Sequence, residues 1–307
     1  MKIRLCALII LLAVGLVTGV SHSSEQNILI GFPEDNMSNQ WRAAQVEEIR
    51  AELKKYPNLQ FVSSDAGGSV AQNISDIENM VSKGAKLLFL APRDPKAVAK
   101  LVRQLRSQGV LIVSLTRRLE NDDFDVFISP DDFHIAKNAA HFLAKKMNGK
   151  GKVLMLEGVV TTSTATKRKE GFLKAIRDYP GITLLSKVAN YDRMQAALVV
   201  EELLRQGEPF DAIYAQNDAM ASGARLAIKK FGVDPASKHI VGIDYLPETK
   251  EAILAGEQSA SFTYPTCGKV GVQAALDLLN KKKVPRVISV PSELVTKTNV
   301  NQVAAIY

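Results

Sequence analysis

Short apolar runs rich in β-branched residues alternate along this chain with stretches whose apolar positions repeat every three to four residues. The runs fall at 28–32, 59–62, 86–90, 110–115, 126–129, 152–156, 182–188, 212–215, 240–243, 259–263 and 287–290. Between most of them lie amphipathic segments such as 41–55, 74–82 and 197–206. Near-continuous apolar strands joined by helical crossovers predict parallel sheets covered on both faces, an α/β fold. Eleven such runs are too many for one ordinary sheet, so the pattern predicts two. Punctuation agrees with this segmentation. Pro57-Asn58 closes the first helix, Gly84 and Gly109 each end a helix before a strand, and Gly149-Lys150-Gly151 opens a second half.

The start of the chain breaks the alternation. Lys2 and Arg4 precede an apolar run over 5–20, and small residues follow at Gly19, Ser21, Ser23 and Ser24. This is the pattern of a cleaved signal peptide over 1–23. A membrane anchor is the competing reading, but a run of about 16 residues is short of the roughly 20 needed to span a bilayer. Cys6 lies inside the apolar run and is not read as a lipoprotein cysteine. The expected localisation is the periplasm.

Composition then narrows the classes. Removing Lys2 and Arg4 lowers the net charge from +7 to +5. The only tight basic cluster is Lys281-Lys282-Lys283, read as a solvated helix end, so no nucleic-acid partner is expected. The mature chain keeps one cysteine, Cys267, read as a packing residue; it can form no internal disulfide. His134 and His141 lie seven apart on one helix, about 10 Å by helix rise, which is no metal pair. No metal and no cofactor is expected.

In open parallel sheets a ligand sits beyond the carboxyl ends of the strands. Here those ends are the loops 33–40, 64–69, 91–94, 116–119, 157–166, 216–218 and 244–245, rich in Asn, Asp, Arg and Thr. Such groups can hydrogen-bond adjacent hydroxyls of one small ligand. Asn36 and Arg93 are candidates from the first and third loops, Arg93 competing with a solvated role. Trp41, Tyr191 and Tyr264 stand near such ends and can cover an apolar ligand face, with core packing the alternative for Trp41. Asp65-Ala66-Gly67-Gly68-Ser69 lacks the spacing of a phosphate loop, and Thr161-Thr162-Ser163-Thr164 lacks a nucleophile elbow; turn and capping roles are assigned to both.

Several motifs in order, Gly31-Phe32 with Trp41-Arg42, Leu90-Ala91-Pro92, Leu156-Glu157-Gly158, Lys169-Glu170-Gly171-Phe172, Tyr191-Asp192-Arg193, Ala215-Gln216-Asn217-Asp218 and Val241-Gly242-x-Asp244, resemble the periplasmic sugar-binding proteins of the ribose and galactofuranose type. The resemblance covers the whole mature chain. It implies the type I periplasmic binding protein fold: two Rossmann-like lobes joined by a three-crossing hinge. The N-terminal lobe would be 26–129 plus 262–288 and the C-terminal lobe 130–261 plus 289–307. It implies that Asn217 and Asp244 hydrogen-bond sugar hydroxyls, that Arg117 is the arginine of an Asp-Arg pair, that Tyr191 packs on the ligand, that Trp41 stacks on it, and that Tyr264 falls near the hinge. Asp218 would cap the following helix.

Departures from the family accompany these matches. Thr116 stands where a ligand-binding aspartate precedes Arg117, and Thr166 stands where a second ligand arginine is usual. Both are kept as ligand-site candidates. The loss of the aspartate leaves a basic surplus at Arg117 and Arg93 that would suit a ligand with an anionic or strongly polar acceptor group, with a modified sugar, a signalling furanone and a small osmolyte all left open. The implied function is capture of a sugar-like polar ligand by hinge closure, by a monomer, for a membrane permease of the ABC type. A sensor kinase or chemoreceptor as partner is the alternative. A transcription regulator of this two-lobed class would need an N-terminal helix-turn-helix, whereas here the first strand begins directly behind the export signal. An enzyme would need a dinucleotide fingerprint, metal ligands or a nucleophile with its base, and none stands at working spacing.

Overall fold

The computed structural model describes residues 27–306. The expected signal peptide lies outside the described residues. The first half runs β1 (Ile28–Glu34), α1 (Gln40–Leu53), β2 (Leu59–Asp65), α2 (Val70–Ser82), β3 (Leu87–Leu90), α3 (Pro95–Ser107), β4 (Leu111–Leu115) and β5 (Val126–Ser129). The second runs α4 (Asp132–Lys146), β6 (Lys150–Glu157), α5 (Ser163–Ile176), β7 (Gly181–Val188), α6 (Arg193–Arg205), β8 (Ala212–Ala215), α7 (Asp218–Lys230), β9 (His239–Asp244), α8 (Pro247–Ala255) and β10 (Ala260–Thr263). The chain then returns through α9 (Gly268–Leu279) and β11 (Val287–Ser289) and ends near β12 (Leu294–Thr296).

Two six-stranded sheets result, in the orders β11-β5-β4-β3-β1-β2 and β12-β10-β9-β8-β6-β7. Every pairing is parallel except that of β10 with β12. Strand alternation builds a core on each face. In β3, Leu87 and Phe89 join Val46, Ile49 and Val272 under α1 and α9, while Leu88 and Leu90 join Ile77 and Val98 under α2 and α3. In β6, Val153 and Met155 pack under α4 and α5, and Leu154 and Leu156 under α6 and α7.

The sheets meet at three chain crossings, after β5, after β10 and between β11 and β12. Strand pairing moves two of the expected boundaries. Phe262 and Thr263 pair with Ile243 and Asp244 in the second sheet, so the crossing follows Thr263 and not Ser261. Ser289 pairs with Ser129 in the first sheet, so the last crossing follows it. In both cases the ladder runs to the end of the apolar run, which sequence pattern alone leaves open by a residue or two. No helix among the described residues is long and apolar enough to cross a membrane.

Candidate functional site

Helix starts bring polar residues to the carboxyl ends of the strands of both sheets. Asn39, Asp94, Thr162, Asp192 and Asn217 each accept a hydrogen bond from the first turn of the helix they open. Between the two sheets these loops enclose a cavity of about 310 Å³, bounded by Asp35 to Arg42, Arg93 and Arg117 on one side and by Asn190 to Gln195, Asp244 and Leu246 on the other. A recess of about 40 Å³ adjoins it, where Thr116, Thr164, Arg168, Asn217 and Tyr264 join Trp41, Arg42, Arg117, Tyr191 and Asp244.

The structure therefore brings Asn36, Trp41, Arg93, Arg117, Tyr191 and Asp244 to the cavity and Thr116, Asn217 and Tyr264 to its recess. Thr166 is not among them. Helix α5 presents Thr164 and Arg168, four residues apart, to the recess. Thr166 is about 200° around the helix from Thr164; it is exposed and its Oγ1 donates to Thr162 O at 3.1 Å. Arg168 is the arginine at this end of the site. It pairs with Asp132 at 2.8 Å, donates to Gln216 O, and lies over the Tyr264 ring at 4.4 Å. Its position two residues beyond the expected one is the signal the linear pattern carried.

The adjacent arginines of the β4 loop divide. Arg117 is buried, 2.8 Å from Asp35 Oδ1, and donates to Ala91 O at 3.2 Å. Arg118 turns outward to Asp122 at 2.6 Å and lies on Phe124 and Phe127. The capping assignment also changes. Asn217 Oδ1 accepts from Met220 N at 3.0 Å, so Asn217 is the cap of α7. Asp218 is fully buried and accepts from Tyr245 N, Ser261 Oγ and Gln258 Nε2 at 2.6–2.8 Å, fixing the loop that carries Asp244. Gly242 makes this possible, because a Cβ there would fall 1.9 Å from Asp218 Oδ1. Thr116, Tyr191 and Asp244 all have positive φ, at 58°, 61° and 127°. Non-glycine residues held in this region cost free energy and gather at functional sites.

Trp41 is both packing residue and lining: it is 5 % exposed, its Nε1 donates to Tyr264 O at 2.8 Å, and its ring tilts against that of Tyr264 at 5.6 Å. Asp35 and Arg42 are the residues that sequence reasoning missed. Arg42 follows Trp41 on α1 and is buried, donating to Gln45 Oε1 at 2.9 Å and Thr116 Oγ1 at 3.2 Å. Asp35 lies between Arg117 and Arg93, the latter at 3.8 Å. The basic surplus expected at Arg117 and Arg93 is thus met by Asp35 from the β1 loop.

Charge states follow from burial and neighbours. Burial pushes the Glu34 carboxyl well above its ordinary value, against the pull of Arg42. Burial acts on Asp35 in the same direction, but the Arg117 guanidinium and the Glu34 hydrogen bond outweigh it and hold Asp35 below the usual carboxylate range. Burial raises Asp244 well above its ordinary value, with Arg168 opposing. Asp132 is pushed up to about 6 by burial, again against Arg168. Among residues lining the cavity, the buried Arg117 Nε and Tyr191 hydroxyl lack a hydrogen-bond partner, while the Asp35 carboxyl is held by Arg117 at 2.8 Å.

Two sheets with a polar, partly unsatisfied cleft at their facing strand ends define a two-lobed α/β ligand-binding protein. The periplasmic binding protein domain matches residues 30–283, and the chain belongs to that family. It is 29 % identical to the ribose import binding protein RbsB of Bacillus subtilis over 89 % of both chains. It is 27 % identical to the galactofuranose-binding protein YtfQ of Escherichia coli over 76 % of both. Among solved structures it is similar to a Bacillus halodurans ABC transporter solute-binding protein with bound myo-inositol, with a TM-score of 0.86, 25 % identity and coverage of 91 % of this chain and 98 % of that one. It is also similar to the fructose-binding periplasmic domain of the hybrid two-component system BT1754, with a TM-score of 0.85, 28 % identity and coverage of 90 % and 92 %. These neighbours identify the fold as that of the type I periplasmic sugar-binding proteins.

Proposed function

We propose that the protein is exported to the periplasm with loss of residues 1–23, captures one sugar or sugar-like polar ligand between its lobes, and delivers it as a monomer to an ABC permease. The reading is of a binder and not of an enzyme, without metal or cofactor. The observation that carries it is the cavity of about 310 Å³ between the two sheets, lined at the strand ends by Asn36, Arg93, Arg117, Tyr191 and Asp244. Such donors and acceptors match the hydroxyls of a polyhydroxy ligand. Relatives named for ribose, galactofuranose and myo-inositol support the substrate class. Ligand contact is assigned to Asn36, Trp41, Arg93, Thr116, Arg117, Tyr191, Asn217, Asp244 and Tyr264.

The test is a thermal-shift screen of sugars, polyols and sugar acids followed by calorimetry. A bound ligand raises the melting temperature, and Asn217→Ala or Asp244→Ala should each weaken binding by about 1–3 kcal/mol while the protein stays folded. Unchanged affinity in both variants would sink the site assignment. A sensory role is the second reading, favoured by the likeness to the BT1754 domain. Deleting the gene separates the two. Loss of uptake of the identified ligand supports the permease partner, whereas intact uptake with a lost transcriptional or swimming response supports a receptor.

A further inference from the structure

We infer that Arg225, on α7 and outside the ligand cavity, is a positioning residue for ligand binding: through Gln258 and Asp218 it holds the turn that carries Asp244 to the recess. This rests on the reading of Asp244 as a ligand contact.

The turn needs support from outside itself. Asp244 and Tyr245 have φ of 127° and 61°, and non-glycine residues stay in such conformations only where their surroundings impose them. Val300 O and Ile306 N hold the hydroxyl and the carbonyl of Tyr245, which leaves its N–H, the group next to Asp244, to Asp218. Asp218 Oδ2 accepts from that N–H at 2.7 Å and from Ser261 Oγ at 2.6 Å. Its Oδ1 accepts from Gln258 Nε2 at 2.8 Å, and the same nitrogen donates to Ala260 O at 3.0 Å. Gln258 is 1 % exposed, so its Oε1 needs a donor within the protein, and Arg225 Nη1 supplies it. A guanidinium only donates and a carboxylate only accepts, so the amide between them is fixed in one orientation.

The placement of Arg225 fits this role. It lies two turns after Asp218 on the buried face of α7 and is 6 % exposed. Its acidic neighbours are engaged elsewhere, Glu248 with Arg193 and Glu257 with Lys229. A buried guanidinium facing an amide in place of a carboxylate is costly, and here it secures the far end of a chain of three side chains. Arg225 lines a groove of about 370 Å³ between α7 and α8, not the ligand cavity. Its substitution therefore removes no ligand-lining atom, and an effect on affinity must pass through the residues between.

Amide hydrogen exchange, followed by NMR on the purified unliganded protein, tests the link without any ligand. Arg225→Met should speed exchange of the Tyr245 amide about tenfold while the ladder amides of β8 keep their wild-type rates; a loss of general stability would speed both. Arg225→Lys, which keeps a donor for Gln258, should restore the wild-type rate. Calorimetry then adds D-ribose, D-fructose and myo-inositol as probes. Whichever the wild type binds should bind Arg225→Met about tenfold more weakly, and the change should cost nothing further in a Gln258→Met or an Asp244→Ala background. Gln258→Met breaks the same link and takes the place of Arg225→Met should that variant fail to fold. An unchanged Tyr245 rate, or losses that add in both backgrounds, would overturn the inference and leave sugar capture standing. Full affinity in Asp244→Ala would overturn the inference together with the site assignment. If none of the three probes binds, the exchange rates alone decide the inference, and the wider sugar screen decides the capture.

Discussion

Gly158 lies against the ring of Tyr191: a Cβ at Gly158 would fall 2.0 Å from the Tyr191 ring. The aromatic that faces the cavity is therefore held in place by a missing side chain one strand away. Gly158→Ala should push the ring out of position and weaken ligand binding tenfold or more, and in a Tyr191→Ala background the same change should do little, because residues in contact couple. Equal effects in both backgrounds would refute the coupling. The same residues show what a sequence can and cannot convey. Gly158 and Gly242 sit in recognisable motifs, yet only packing shows why: each makes room for a side chain from another element. Asp35 lay in a strand-end loop and Arg42 in a recognisable motif, yet neither stood out as a site residue, since an acidic loop residue and a helix arginine are ordinary until the fold places them beside Arg117 and Thr116.

The start of α5 shows how an element can do more than its pattern announces. Thr162 caps the helix, the role expected for the hydroxyl run. The other three hydroxyls reach across the cleft to main-chain atoms of the first lobe. Thr161 Oγ1 donates to Arg93 O at 2.7 Å, Ser163 Oγ accepts from Arg118 N at 2.7 Å, and Thr164 Oγ1 donates to Thr116 O at 2.9 Å. None of the three requires a ligand, so together they favour the closed arrangement by a fixed amount, each neutral hydrogen bond contributing about 1 kcal/mol. Replacing Thr161 and Ser163 with Ala and Thr164 with Val should raise Kd by about tenfold or more, with the gain in the dissociation rate. An unchanged Kd would mean the contacts add nothing to closure. Strand and helix positions were legible because apolar runs and Gly or Pro punctuation are local. The short β12 was not, being three residues whose pairing with β10 is set by the returning chain. The displacement of Thr166 by Arg168 has the same origin: a helical face depends on where the helix docks.

At the scale of the whole molecule, two of the crossings are tied together by one buried network. Tyr264, just after β10, donates from its hydroxyl to Asp132 Oδ2 at 3.2 Å, lies 3.3 Å from Ser129 Oγ, and accepts from Trp41 through its carbonyl. Asp132 opens α4 immediately after the first crossing and holds Arg168. Because burial raises Asp132 from 3.8 to about 6, the folded state binds its proton more tightly than the unfolded chain does. That stabilisation is present below pH 4 and is lost as pH rises through 6. The stability advantage of the wild type over Asp132→Asn should therefore shrink between pH 4 and pH 6 and stay level above, as measured by thermal melts. An advantage that grows with pH over that window would contradict the burial argument. Among the described residues the crossings are the only covalent links between the lobes, so closure must turn about them while each sheet stays rigid. A ligand shifts such an equilibrium only through its preference for the closed form. Small-angle scattering should accordingly give a smaller radius of gyration with saturating ligand than without it, and the three α5 substitutions should enlarge the unliganded form. Identical radii in all states would mean that ligand enters a cleft already fixed, and that selectivity resides in the lining residues alone.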